Sequence, residues 1–203
     1  MTSAILIRQV ELTNSLWLVE FLVEQSRGFL AGQYQSFYTE TGDAFGPFSI
    51  ASTPDQLPIM RFCTRHQLSL SLNTKVFFNP TKGHLVAADN TKHYILCAGG
   101  TGITPFLSLL KSENKRSFSC YWSLKNIDDQ CLLELFEIKN VTKHYYNDND
   151  HYDLQPYLIK HLQESNCIFY LAGPFVFVDK LGDWLIQQGI SPSNIFSDMK
   201  KFI

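Results

Sequence analysis

The segment from Tyr94 to Leu107 constrains the fold of this chain more than any other. It reads YILCAGGTGITPFL, an apolar run followed by a glycine-rich turn and the start of a helix. Such an apolar run predicts a buried strand of a parallel sheet. Thr104 is expected to cap a helix that begins at Pro105, and the free N–H groups at that helix start would bind an anion such as a pyrophosphate. The segment therefore predicts a strand, a phosphate-binding turn and a helix.

The spacing of three glycines in this turn decides how specifically it indicates a nucleotide-binding site. Gly99, Gly100 and Gly102 allow a tight reversal and let a ligand approach the backbone. Their spacing matches neither G-x-G-x-x-G nor G-x-x-x-x-G-K-[ST], the two common nucleotide-binding patterns. On residue chemistry alone, a glycine-rich connection that binds no ligand is the alternative.

Composition and charge argue against several classes of protein. The net charge of −2 gives no basic surface for nucleic acid, and no apolar run approaches the roughly 20 residues of a membrane span. The five cysteines have no C-x-x-C spacing and the six histidines are scattered, which argues against a metal site or an iron–sulfur cluster. The acidic run at 147–150 lacks the glycine and distal glutamate of a calcium-binding EF-hand loop. We expect a metal-free protein of the cytoplasm with reduced, mostly buried thiols.

The two halves of the chain differ in the rhythm of their apolar residues. The first half predicts a short helix over 70–77 and partly alternating strands at 4–11, 16–23, 33–39, 48–51 and 59–64. Regular short strands of this kind favour an antiparallel barrel or sandwich. The second half predicts strands at 94–98, 117–122, 141–146 and 167–172, and helices at 104–111, 130–139, 154–163 and 175–188. Their alternation predicts a doubly wound parallel sheet.

Two further motifs lie at the ends of predicted strands. Residues 46–54 read GPFSIASTP, and residues 170–175 read YLAGPF. In an open α/β sheet, ligands bind beyond the carboxyl ends of the strands. We therefore expect the Gly173-Pro174 turn and the glycine-rich turn to line one crevice.

Taken in order, these motifs are similar to those of the ferredoxin–NADP reductase superfamily, and within it to the bacterial NAD(P)H-dependent flavin reductases. The resemblance covers nearly the whole chain, from AGQY at 31–34 through PFSIASTP, GGTGITP and AGP to the tail at 194–203. It implies an N-terminal antiparallel β-barrel that binds flavin (residues 1–91) and a doubly wound parallel-sheet domain that binds NAD(P) (residues 92–203). NADH or NADPH would pass a hydride to riboflavin, FMN or FAD held between the two domains as a substrate or weakly bound cofactor.

The resemblance also implies which residues bind these molecules. Phe48 and Ser49 would line the isoalloxazine ring, with Ser49 as the catalytic residue near its reactive nitrogen. The residues expected to bind a cofactor are Gln33, Tyr34, Pro47, Phe48, Ser49, Ile50, Ser52, Ser69, Gly99, Gly100, Thr101, Gly102, Thr104, Pro105, Gly173, Pro174 and Phe202. The alternatives are that Ser49 is a strand hydroxyl satisfied by a neighbour, and that Phe202 is a buried anchor for the tail. Lys125 would meet the 2′-phosphate of NADPH or be an ordinary exposed lysine.

Two departures from the family pattern concern phosphate. The family carries Arg immediately before the P-[FY]-S motif, where it pairs with a flavin phosphate, whereas this chain has Gly46. The sequence HQLS at 66–69 stands where the family has a G-x-x-S segment that approaches the same phosphate. Losing both contacts should weaken the binding of phosphate-bearing flavins most and the binding of riboflavin little.

Three functions follow as hypotheses. The first is a flavin reductase that releases its reduced flavin. The loss of the two phosphate contacts favours this hypothesis. The second is an FAD-containing component that passes electrons from NAD(P)H to a protein partner such as a ferredoxin or an oxygenase. The third is a degenerate member that binds a nucleotide without redox chemistry.

Overall fold

Six antiparallel strands form the first part of the computed structural model, which describes residues 2–24, 28–112, 116–146, 153–199 and 201–202. They are β1 (Thr2–Thr13), β2 (Leu16–Val23), β3 (Tyr34–Thr39), β4 (Ala44–Ser49), β5 (Ile59–Thr64) and β6 (Lys75–Phe78), in the sheet order β4-β3-β6-β1-β2-β5. The two outer strands also meet, because the N–H of Ala51, just after β4, donates to the carbonyl O of Arg61 at 2.8 Å. The sheet closes into the predicted barrel. The acidic run at 147–150 lies outside the described residues.

The helix expected over residues 70–77 is wrong, because part of that segment is strand β6. Val76 and Phe78 are buried, whereas Lys75 is exposed and Phe77 is half-buried, which is the two-residue period of a strand. β6 pairs with β1 on one side and β3 on the other. Its four residues are too few for periodicity to separate a strand from a helix.

Aromatic side chains fill the barrel and support the surface next to the second sheet. The ring of Phe21 meets those of Phe37, Phe62 and Phe78 edge-on, with centroid distances of 5.0, 5.9 and 5.6 Å. Phe48 of β4 then packs on Phe37 at 5.9 Å. Packing of this kind adds to the stability that burial supplies and holds the wall of the barrel in place.

A five-stranded parallel sheet forms the second part of the fold. Its strands are β7 (His93–Gly99), β8 (Ser117–Leu124), β9 (Val141–Tyr145), β10 (Cys167–Ala172) and β11 (Ile195–Phe196), in the order β11-β10-β7-β8-β9. The helices are α1 (Thr104–Ser112), α2 (Cys131–Leu135), α3 (Gln155–Leu158) and α4 (Phe175–Gln187). α1 and α2 contribute to the core on one face, and α3 and α4 to the core on the other. The doubly wound sheet is confirmed, with β7 and β10 adjacent at the point where the strand order reverses. Within the described ranges, no helix has the length and apolar character to cross a bilayer.

The barrel and the parallel sheet share one hydrophobic core. Leu18 and Cys63 of the barrel belong to the same buried cluster as Leu96 of β7 and Phe106 of α1. The boundary predicted between residues 91 and 92 falls in the segment that connects β6 to β7, and it stays a prediction.

Polar contacts reinforce the junction between the barrel and the sheet. The Ser108 hydroxyl donates to the carbonyl O of Ser52 at 2.7 Å. The buried carboxylate of Asp129 accepts hydrogen bonds from the hydroxyls of Thr13 at 2.8 Å and Ser15 at 3.3 Å. These contacts hold the two halves at a defined separation.

Candidate functional site

A cleft of about 580 Å³ runs along the seam between the barrel and the parallel sheet. One wall consists of the end of β4 together with residues 64–69, which follow β5. The facing wall consists of Thr101 and Gly102 after β7 and Gly173 after β10. The volume lies within the roughly 300–1,000 Å³ of sites that bind small molecules. The predicted crevice therefore exists as open space between the two walls.

The cleft brings together the P-F-S strand, the glycine-rich turn and the A-G-P turn. The predicted site residues that line it are Pro47, Phe48, Ser49, Ser69, Thr101, Gly102, Thr104, Pro105 and Gly173. Ser49 is half-buried, and its hydroxyl has no hydrogen-bond partner among the residues that the structure describes. Ser52 differs, because it is fully buried and its hydroxyl accepts the N–H of Arg61 at 3.1 Å. Of these two hydroxyls, only that of Ser49 is available to a ligand.

The other predicted site residues do not line this cleft: Gln33, Tyr34, Ile50, Ser52, Gly99, Gly100, Pro174 and Phe202. The side chain of Gln33 accepts the N–H of Leu30 at 2.8 Å and so stabilises a turn. Phe202 is buried against α4, where a Cβ at Gly182 would overlap its ring. That position corresponds to the buried anchor and not to a ring stacked near a flavin.

The three glycines of the turn are not all required for the same structural reason. Gly100 has a φ of +54°, the left-handed conformation that side chains rarely adopt. A Cβ at Gly102 would overlap the carbonyl O of Ala172 at the end of β10, and one at Gly99 would crowd the ring of Phe177. Only Gly100 is required by backbone conformation, while the other two allow close packing.

The start of α1 differs from the expectation that Thr104 is its N-cap. A 3₁₀ turn at Gly100–Ile103 comes first, and Thr104 already has the helical angles of −54° and −49°. Its hydroxyl donates to the carbonyl O of Thr101 at 2.8 Å and does not accept a backbone N–H. The Thr104 side chain therefore caps none of the backbone N–H groups at this end of the helix.

Three of the cleft residues that sequence reasoning did not predict bear on binding. Phe45 stacks on Phe37 with ring centroids 5.4 Å apart and extends the aromatic wall next to Phe48. Asp198 enters from the C-terminal tail, where its carboxylate accepts the N–H of His84 at 2.7 Å. Burial of the carboxyl group raises the pKa of Asp198 above its ordinary value. The third is Arg65, which directly precedes the altered 66–69 segment in the sequence. That position is the signal by which sequence reasoning could have found it.

Gly46 occupies a bulge in the barrel wall. The pairing of β3 with β4 shifts between Gln35 and Phe37, where Gly46 and Pro47 are accommodated. Gly46 has a φ of +96°, and a Cβ there would lie 2.9 Å from the carbonyl O of Gln35. The backbone conformation at this position therefore strains any side chain, including the arginine of the family pattern.

Comparisons with known proteins agree with this architecture. No family model matches the chain. A curated relative from Vibrio harveyi, described as a probable flavin reductase, is 26% identical over 223 residues, which cover 92% of this chain and 94% of the relative. Phthalate dioxygenase reductase is 18% identical with a TM-score of 0.77, covering 97% of this chain and 67% of that one. A ferredoxin NADP⁺ reductase from Neisseria gonorrhoeae, solved with FAD and NADP, is 15% identical with a TM-score of 0.74, covering 97% of both chains. The predicted resemblance is thereby confirmed: the chain has the fold of the ferredoxin–NADP reductases and is similar to a flavin reductase over nearly its whole length.

Proposed function

We propose that this chain is an NAD(P)H-dependent flavin reductase. It transfers a hydride from NADH or NADPH to riboflavin, FMN or FAD, which binds loosely and leaves reduced. The observation that carries the proposal is the cleft in which the P-F-S strand of the barrel faces the carboxyl ends of β7 and β10. The likeness to a probable flavin reductase supports the same reaction.

The walls of the cleft fit a flat aromatic ring system. Phe45 and Phe48 both pack on Phe37, so the barrel wall offers aromatic surface that the core holds in place. The facing wall includes Gly102 and Gly173, which carry no side chain to obstruct a ring. Such a slot suits two stacked rings better than a globular ligand.

The chain's own contribution to the reaction is positioning. A bound flavin supplies the hydride-accepting nitrogen, and no side chain has to remove a proton in the transfer itself. The two walls would flank the stacked rings and hold the reacting atoms about 3–3.5 Å apart. The Ser49 hydroxyl lies on the barrel wall, where it can donate a hydrogen bond to the reactive edge of the ring. The backbone amides of the glycine-rich turn would face the diphosphate of a bound dinucleotide just before α1, where the helix dipole favours negative charge. The N–H of Thr104 itself donates to the carbonyl O of Thr101.

The barrel wall binds the flavin's phosphate weakly or not at all. Gly46 has no side chain, and its backbone conformation would strain an arginine there. Affinity for a flavin then comes mainly from its ring, and riboflavin should react about as well as FMN. This is the behaviour of a substrate and not of a tightly held prosthetic group.

Anaerobic mixing of the purified chain with NADH or NADPH and riboflavin tests the proposal, with the flavin absorbance band as the readout. We expect bleaching that requires the chain. Ser49→Ala should lower kcat about tenfold at an unchanged Tm, since one hydrogen bond to the reacting ring is worth roughly 1.4 kcal/mol. Ser52→Ala makes the same chemical change in the core and should lower the Tm while leaving KM and kcat unchanged. Stabilisation by nucleotides without reduction of any flavin would favour the degenerate binding module instead.

A second candidate is an electron-transfer component that passes electrons from NAD(P)H through FAD to a protein. The observation favouring it is a group of exposed apolar side chains near the cleft: Phe175 and Val176, which follow the A-G-P turn, and Met199 of the tail, which lines the cleft. The solved phthalate dioxygenase reductase passes electrons from pyridine nucleotides to a [2Fe–2S] centre. This candidate requires purified protein that carries stoichiometric FAD and reduces an added ferredoxin.

We also propose that the protein works in the cytoplasm. None of its five cysteines forms a disulfide, which suits a reducing compartment.

A further inference from the structure

A cluster of two histidines and a glutamate lies at the amino end of the parallel sheet, opposite the end that forms the cleft. His93 begins β7, and His161 and Glu164 lie in the segment that leads from α3 to β10. One potential ligand atom from each of the three side chains lies within 4.8 Å of the other two. Imidazole and carboxylate groups are common ligands of transition metals. The expectation of a metal-free protein rested on the scattered histidines of the sequence, and the fold brings two of them together.

His161 and Glu164 form the fixed part of this cluster. Nδ1 of the buried His161 lies 2.9 Å from Oε1 of Glu164. Its other ring nitrogen, Nε2, lies 2.7 Å from the phenol O of Tyr121. Nε2 can therefore carry the proton of the ring toward Tyr121 while Nδ1 binds an ion, which is how ligating histidines are oriented in metal sites. The Glu164 carboxylate is held as well, because the Cys167 thiol donates to its other oxygen, Oε2, at 3.1 Å.

His93 completes the cluster from the start of β7. Its ring lies beside that of His161, with centroids 5.5 Å apart. Its Nδ1 is hydrogen-bonded to the hydroxyl of Ser117, and its Nε2 lies 3.0 Å from the hydroxyl of Ser119. A serine hydroxyl can donate or accept a hydrogen bond. One hydroxyl can therefore accept the ring's N–H while the other ring nitrogen binds an ion.

The movement that an ion would require is small. Two ligand atoms bound at 2.0–2.1 Å in a tetrahedral zinc site lie roughly 3.3–3.5 Å apart. The atoms within 4.8 Å of one another would have to close by at most roughly 1.4 Å. Glu164 is exposed and His93 is half-buried, so both side chains can move by this amount while His161 stays in place. The exposure of Glu164 also gives an ion a path from solvent.

We infer that His93, His161 and Glu164 bind a zinc ion, with water as the fourth ligand. Two imidazoles and one carboxylate suit Zn²⁺, whereas Mg²⁺ and Ca²⁺ prefer ligand sets made of oxygen alone. The ion would join the start of β7 to the segment before β10 and so stabilise the second sheet. β7 runs from His93 to Gly99, which separates the ion from the cleft by about 20 Å. The site is therefore independent of the proposed reaction.

Calorimetric titration with Zn²⁺, after treatment of the protein with a chelator, tests this inference. Glu164→Gln removes the charge of one ligand from an exposed side chain and should weaken zinc binding at least tenfold, since even the residues that orient metal ligands change affinity by about 10–100-fold. Glu134→Gln makes the same change on an exposed side chain of α2 and should bind zinc as the wild type does. A wild-type chain that does not bind zinc, or equal affinities in the wild type and Glu164→Gln, would overturn the inference.

Thermal unfolding gives a second readout that includes a histidine ligand. Zn²⁺ at 100 times its Kd should raise the Tm of the wild type by about 5–10 °C, because an ion that binds only the folded state stabilises it. The same zinc concentration should raise the Tm of His93→Gln by much less. His84→Gln changes an exposed histidine between β6 and β7 and should keep the full shift. Each shift is measured from that variant's own Tm without zinc, which separates lost binding from a weakened fold. A full shift in His93→Gln would overturn the assignment of this ligand, and so would a shift produced equally by Mg²⁺.

Discussion

The indole Nε1 of Trp122, in the middle of the second sheet, donates a hydrogen bond to the carbonyl O of Gly100 at 2.8 Å. Trp122 is 1% exposed and Gly100 is buried, so no solvent can replace this bond. The contact ties strand β8 to the glycine-rich turn and holds that turn in its left-handed conformation. The shape of the turn therefore depends on a side chain far from it in the sequence.

Trp122→Phe should destabilise the fold and weaken binding of the reductant. Losing this buried hydrogen bond should cost about 0.5–1.5 kcal/mol, which urea unfolding can measure. The KM for NADH should rise severalfold, while that for riboflavin stays nearly constant. Trp184→Phe, a partly buried change in α4, is the control and should leave both KM values unaltered. Equal effects of the two substitutions on the KM for NADH would contradict the role of the Trp122 bond.

Gly46→Arg restores the arginine of the family pattern but should not restore phosphate binding. The φ of +96° and the 2.9 Å approach to the carbonyl O of Gln35 make any side chain there strained, by about 1–3 kcal/mol. We expect a lower Tm and an unchanged ratio of the KM values for FMN and riboflavin. Gly42→Arg has a similar φ of +92° with open space around it, and so it isolates the effect of the close approach. A KM that falls for FMN alone would show that the bulge can adapt.

Asp129→Ala should loosen the junction between the barrel and the sheet. Its carboxylate is 5% exposed and accepts hydrogen bonds from Thr13 and Ser15 of the barrel. Hydrogen bonds to charged groups contribute roughly 1.5–3 kcal/mol, so unfolding in urea should show a loss of about 2 kcal/mol. The value of kcat should also fall, because the two walls of the cleft lose a fixed separation. Asp128→Ala, the exposed neighbour, should change stability by less than about 0.5 kcal/mol.

The same carboxylate should suppress the reactivity of a nearby thiol. Partial burial raises the pKa of Cys131, and the negative charges of Asp129, Glu134 and Asp128 raise it further. Asp129→Asn removes one negative charge, so the pKa should fall toward the ordinary value of about 8.5 and the thiolate fraction at pH 8 should grow. Alkylation of Cys131 by iodoacetamide at pH 8 should then accelerate severalfold.

A variant that loosens the junction but keeps the charge controls this experiment. Thr13→Val removes a hydrogen bond to Asp129 and should leave the rate of alkylation close to that of the wild type. Equal acceleration in both variants would mean that exposure, and not charge, limits the reaction. The remaining thiols should react slowly in every variant because burial raises their pKa values: Cys63, Cys97, Cys120 and Cys167.

Particular residues show how far sequence reasoning reached. The strands at 16–23, 59–64 and 167–172 have the bounds that their apolar patterns predict. The glycine-rich turn also lies between a strand and a helix, where the run from Tyr94 to Leu107 places it. The 3₁₀ turn before α1 and the strand over Lys75–Phe78 were missed, since both are shorter than the window in which a period can be recognised.

Local patterns predict most of the strands, turns and helices and the three motifs that end at the cleft, because hydrophobic period and glycine or proline chemistry act over a few neighbouring residues. The strand over Lys75–Phe78 is an exception. Only the tertiary structure decided that Phe202 packs against Gly182 behind the sheet, that Ser52 is satisfied while Ser49 is not, and that Arg65 lies over Gly100. The physical reason is that these relationships depend on how the barrel, the sheet and the tail pack on one another. Such packing brings together side chains that no local pattern connects.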